Sequence, residues 1–246
     1  MKNLNFTLIG LITGLTVILA NSAFYVPLRI DQIQLDMLIQ TVSKGKKITT
    51  RGKLYYETAN SKLVTRFTYP HEIISITNGL GEMKTYDAKQ NSLFQKNGSQ
   101  HSSKQSFLYH FTSGRYGDMG LQENGFAMIK SRIEDGMVIS NWQAKKDADK
   151  QSKNLNIELV VENRLPIFMS YSNNGSIESK TYFTNYQNIG DNLVPFNITE
   201  IQYSNQGMDS VIIRKKYSNL LVNSQVDLKY LNFKIPSTAK LIEIDK

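Results

Sequence analysis

There is no cysteine in the 246 residues. That excludes disulfides, thiolate metal sites and a lipid-anchored N-terminal cysteine. An exported chain without cysteine fits a bacterial envelope better than a disulfide-built extracellular module. Histidine is also scarce. His71, His101 and His110 have neither metal-site spacing nor cysteine partners, so no metal ligand set is expected. No serine lies in a G-x-S-x-G turn, and the carboxylates are spread singly rather than in a glycosidase-like pair. The glycines of "GRYGDMG" (residues 114–120) lack both the Lys-Ser/Thr ending and the preceding strand of a phosphate loop. No enzyme signal and no cofactor motif remain. Nucleic-acid recognition motifs are missing as well, although the formal net charge is +8. The basic residues are scattered, densest at Lys44, Lys46, Lys47, Arg51 and Lys53, then at Arg214, Lys215 and Lys216. They form either a solvated face or an attraction to anionic head groups or an acidic partner.

Long apolar runs are confined to the start. One lysine, an apolar run over residues 6–20, and the small residues of "ANSA" have the layout of a cleaved secretory signal over residues 1–23. That run is short for a membrane span, which takes roughly 20 apolar residues. Residues 24–246 then read as a single domain. With 40% apolar residues over the whole sequence, the chain can fill a core.

Residues 29–43 (RIDQIQLDMLIQTVS) predict a helix: Asp31 is placed to cap it, and Ile30, Ile33, Met37, Leu38 and Val42 recur at helical spacing. From Ile48 onward the period is two. Leu63, Thr65, Phe67 and Tyr69 share one strand face, and Val64, Arg66 and Thr68 the other. Asn60-Ser61 and Asn78-Gly79 supply turns, the second inside the hairpin "FTYPHEIISITNGLGEMKTYD" of residues 67–87. Phe107, Leu108 and Phe111 predict a short amphipathic helix, followed by a loop with Gly114, Gly117 and Gly120. Strands are expected again at 128–132, 137–142, 155–161, 167–171, 178–185, 197–203 and 211–217, separated by polar turns in the rhythm of a meander. Residues 145–154 are polar enough for an exposed loop, and Trp142 reads as a core residue. An interior filled by its own side chains and a sheet curled around an apolar cavity are both compatible with this pattern.

Three segments together resemble the LolA family of periplasmic lipoprotein carriers: "GKLYY" (52–56), "LVTRFTYP" (63–70) and "TNGLGEMKTYD" (77–87). "ENRLPIFMSYSNNGSIESKTYFTNYQ" (162–187) and "LNFKIPSTAKLIE" (231–243) are similar to that family's later strand pair and closing segment. Where its outer-membrane carriers have Arg-Pro, this chain has Thr58-Ala59-Asn60, so the resemblance is to a divergent member. It implies a mainly β (α+β) fold, a strongly curved antiparallel sheet forming an unclosed β-barrel with helices covering its concave face. It implies a non-enzymatic periplasmic carrier of acylated lipoprotein or related lipid cargo, passed from an inner-membrane lipoprotein-releasing transporter to an outer-membrane acceptor. Leu63, Phe67, Tyr69, Ile74, Ile76, Phe107, Leu108 and Phe111 are the expected cavity residues. The alternative is an envelope sensor or scaffold that uses the same sheet as a protein-binding surface.

Overall fold

Residues 29–43 do not form the expected helix. In a computed structural model, which describes residues 29–145, 154–204 and 207–242, they hold strand β1 (Gln32–Ser43). Ile33, Leu35, Met37 and Ile39 alternate along one face, a period-two pattern hidden inside the helical one. Pairing decides between the two. β1 is hydrogen-bonded on both sides, to β2 (Lys46–Glu57) and to β13 (Asp209–Val222), so nearly its whole length serves as a central strand. The cleaved-signal assignment, residues 1–23, lies outside the described residues, and so does most of the polar loop expected at 145–154.

The remaining strands are β3 (Lys62–Tyr69), β4 (Ile73–Thr77), β5 (Glu82–Asp87), β6 (Ser92–Asn97), β7 (Phe126–Glu134), β8 (Met137–Ala144), β9 (Leu155–Glu162), β10 (Leu165–Asn173), β11 (Ser176–Ile189), β12 (Asn192–Ser204) and β14 (Lys240–Ile242). They build one sheet of 14 strands in the order β14-β6-β5-β4-β3-β2-β1-β13-β12-β11-β10-β9-β8-β7. Each half is a meander of consecutive antiparallel strands, and the halves join at β1–β13. Among the described residues only β14 pairs in parallel, against β6. Two-residue turns with positive φ at both positions make many of the hairpins, as at Lys44-Gly45, Asn163-Arg164 and Asn174-Gly175. Such turns match the twist of the strands they join.

The sheet is strongly curved and unclosed. β2 and β8 are seven places apart, which in a flat sheet would separate them by about 33 Å at the usual strand spacing. Yet Leu54 of β2 and Trp142 of β8 belong to one buried apolar cluster. That cluster fills the concave side around the short helix α1 (Phe107–Thr112). A second, smaller cluster lies on the convex side: Tyr55, Val64 and Ile74 are covered by Val226, Tyr230 and Leu231 of the C-terminal segment, which carries helix α2 (Leu228–Leu231). The Arg66 guanidinium lies over the Tyr230 ring at 4.5 Å, and Tyr55 packs on the same ring at 5.3 Å. The expected helical cover of the concave face is therefore supplied by α1 and the segments flanking it rather than by residues 29–43.

Candidate functional site

Helix α1 is short because both its ends are stopped locally. Ser106 caps the start, its hydroxyl accepting from the Tyr109 amide at 3.3 Å. At the other end the Thr112 and Ser113 hydroxyls turn back onto the Leu108 and Tyr109 carbonyls, each at 2.5 Å. Asn192 of β12 donates to the Thr112 carbonyl at 3.0 Å and ties the helix to the sheet. The segment before α1 is fastened too: Ser102 donates to the Gly79 carbonyl at 3.0 Å, and the Ser103 hydroxyl to the Ser61 carbonyl. After α1, Asp118 accepts from the amides of Gly120 and Gln122, and Arg115 pairs with Glu123 at 2.6 Å. Gly120, at φ +74°, lies so close to His110 that a Cβ would sit 2.5 Å from the ring. At Gly120 the glycine allows close packing.

Leu108 and Phe111 are fully buried and press α1 against the sheet as a plug. Phe111 stacks on Tyr116 at 5.4 Å and meets Phe183 and Tyr186 at 5.9 Å. The plug closes the end of the trough that carries the turns at 60–61 and 190–191. Between it and the end that carries turns 44–45 and 174–175 lies a cavity of about 710 Å³. Binding sites for small molecules usually fall between about 300 and 1,000 Å³. One wall comes from β1–β3 with Met37, Ile39, Leu54, Leu63, Thr65 and Phe67. The facing wall comes from β9–β13 with Leu155, Met169, Tyr171, Thr181, Phe183, Ile198, Glu200, Lys215 and Tyr217. Phe107, Leu108, His110, Met119, Leu121 and Phe126 close it from the plug side.

Of the eight residues expected at the cavity, Leu63, Phe67, Phe107 and Leu108 line it. Phe111 lies behind the lining, in the core of the plug. Tyr69 is 52% exposed at the strand end, under the Arg51 guanidinium at 5.8 Å. Ile74 and Ile76 are on the other side of the sheet. The β3–β4 register pairs Ile76 with Val64 and Ile74 with Arg66, and directly opposed residues share a face, here the convex one. None of those eight residues belongs to the β9–β13 wall. Its signal is the period-two recurrence of Met169 and Tyr171 and of Thr181 and Phe183, which carries no motif.

Electrostatically the cavity is mixed. Glu200 Oε2 accepts from Lys215 Nζ at 3.5 Å, and its Oε1 from Gln202 at 2.6 Å. Burial raises the Tyr171 hydroxyl pKa, and the negative charge of Glu200 adds to that. Burial pushes the Tyr217 hydroxyl well above its ordinary range. His110 is held below its usual imidazole pKa by burial, against the opposing pull of Asp118 and Glu123, and its Nδ1 has no hydrogen-bond partner. Among the described residues, no three His, Asp or Glu side chains gather into a metal site.

Neither a family model nor a curated protein sequence matches this chain. Solved structures do. A LolA superfamily protein from Nitrosomonas europaea superposes with a TM-score of 0.54 over 83% of this chain and 91% of its own, at 12% identity. The fold is LolA-like. A DUF1329 family protein from Desulfovibrio piger gives a TM-score of 0.57 at 15% identity, over 82% of this chain and 90% of its own. A domain from Vibrio parahaemolyticus, named as an outer membrane lipoprotein-sorting protein, gives 0.55 at 11% identity, over 82% and 89%. All three cover both halves of the sheet, so the LolA-like likeness extends across the cavity and not to one meander alone.

Proposed function

We propose that this LolA-like chain is a periplasmic carrier, exported by a cleaved signal over residues 1–23, that shelters the acyl chains of lipoproteins or related lipids while they cross water toward the outer membrane. The observation that carries the reading is the cavity itself: about 710 Å³ left open between two largely apolar walls in a protein whose plug already forms a packed core. A scaffold that used only its outer sheet would gain stability by filling that space. Each methylene moved from water into such a cavity contributes about 0.8 kcal/mol, so affinity needs no directed bond. Handover then requires a competing cavity, and the fitting partners are an inner-membrane lipoprotein-releasing transporter and an outer-membrane acceptor. The LolA-like neighbours support this assignment at the level of the fold.

Mass spectrometry of material extracted from the chain, purified from its native envelope, tests the proposal. Co-purifying acylated species are expected, and they should be lost when Ile198→Trp fills the cavity. A chain that carries no acylated species and takes up no fluorescent acyl probe after delipidation would refute the carrier reading.

A further inference from the structure

Each of the four strands β10 to β13 changes character along its concave face, in a staggered way: Thr181 lies opposite Met169 and Glu200, and Lys215 opposite Ile198. Next to the plug their concave faces present Met169, Phe183, Ile198 and Tyr217. Two residues farther toward the open end, the same faces present Tyr171, Thr181, Glu200 and Lys215. That step is about 6.6 Å along each strand. The facing wall makes no such change, since Ile39 and Phe67 keep it apolar beside the single Thr65. The polar patch is therefore one-sided, and it stands inside the cavity rather than on its outer rim. Lys215 and Glu200 are 32% and 24% exposed.

An ion pair at that position does little for the fold. Partly shielded from water, the two charges lose hydration that their attraction only partly offsets, and apolar side chains would pack there as well. The pair is also loose at 3.5 Å. The Lys215 ammonium keeps donor capacity beyond its one bond to Glu200. A lone anion entering the patch would be attracted by Lys215 and repelled by Glu200. A lone cation would meet the reverse. A group that carries both charges satisfies both residues, and Tyr171 lines the same cavity with a further hydroxyl donor.

The geometry points to a head-group subsite: Lys215, Glu200, Thr181 and Tyr171 recognise the zwitterionic end of an amphiphile whose acyl chain runs down to Met169 and Ile198. Its anionic part, a phosphate, meets Lys215, and its ammonium meets Glu200. The inference rests on the carrier reading and adds to it a ligand class, a lipid with a phosphate–ammonium head.

The delipidated full chain is titrated with three single-chain lipids of equal acyl length, each displacing a fluorescent acyl probe: lysophosphatidylethanolamine, lysophosphatidylglycerol and monoacylglycerol. Charge-assisted hydrogen bonds predict that the zwitterion binds about tenfold tighter than the neutral lipid. Lys215→Met and Glu200→Gln should each bring the two within about twofold; Glu200→Gln preserves shape and so guards against misfolding. Equal binding of the zwitterion and the neutral lipid by the unaltered protein overturns the subsite but leaves the carrier standing. A preference that survives both substitutions does the same, as does tighter binding of the purely anionic lipid. Failure of all three lipids to displace the probe sinks the carrier reading along with it.

Discussion

Phe107 and Phe111 lie on one short helix, and truncating each should produce opposite phenotypes. Phe111 is fully buried among Tyr116, Phe183 and Tyr186 and does not line the cavity. Phe111→Ala should cost about 3–5 kcal/mol, a loss typical of a buried aromatic ring. For a domain of this size that lowers Tm by roughly 6–20 °C. While folded, the variant should bind an acyl probe within about twofold of the unaltered protein. Phe107 is half-buried, with one side on Tyr217 at 4.8 Å and the other on the cavity. Phe107→Ala should cost about half as much stability. It also removes part of the apolar surface that a ligand would cover, about 1 kcal/mol, or roughly a fivefold loss of affinity. The assay is calorimetric melting and probe titration on the same delipidated samples, with titrations well below either Tm. If Phe111→Ala weakens binding more than Phe107→Ala does, the division into plug and lining is wrong.

Two further outcomes follow from single contacts. Because burial holds the His110 pKa below the ordinary value of about 6.5, the unfolded chain takes up that proton first, and stability should fall as pH drops below about 6.5, levelling off beneath the folded-state value. Denaturant midpoints across pH 4–8 read this, and His110→Leu should flatten the slope relative to the unaltered protein; an unchanged slope would exclude His110 as its source. Gly52→Ala would place a Cβ 2.3 Å from the Arg66 carbonyl of the neighbouring strand, a backbone group that cannot swing aside. A loss of about 1–3 kcal/mol is expected from such overpacking, and an unshifted urea midpoint would contradict it.

Gly52 also shows what was legible in the sequence. In "GKLYY" it carries part of the family resemblance, and the structure supplies the reason: β3 approaches too closely for any side chain. The strands after residue 48 were readable for a similarly local reason, since period-two alternation and Asn-Gly or Asp-Gly turns are written in neighbouring residues. β1 was not. Its residues satisfy helical and strand spacing together, and the choice is made by β13, whose pairing residues lie far along the chain. Ile74 and Ile76 are a different case: the hairpin that holds them is legible, but which face they occupy depends on the register with β3. Lys215 was hidden in the run Arg214-Lys215-Lys216, which reads as one basic patch. The strand puts Lys215, directly opposite Ile198, on the trough face and its two neighbours on the other.

The join between β1 and β13 has a kinetic meaning. Asp36 and Asn219, hydrogen-bonded across it at 2.6 Å, are 183 residues apart in the chain. Each meander can assemble from neighbouring hairpins, but neither encloses anything alone: Met37 and Leu63 belong to one, Ile198 and Tyr217 to the other. Closing a loop of that length before the contacts repay it is a slow step, as in other sheets dominated by distant pairings. A chain that emerges N-terminus first therefore has no trough to offer until β13 has arrived. For the carrier proposed above, capture would be confined by connectivity to the finished molecule, and half-made copies could not compete for cargo.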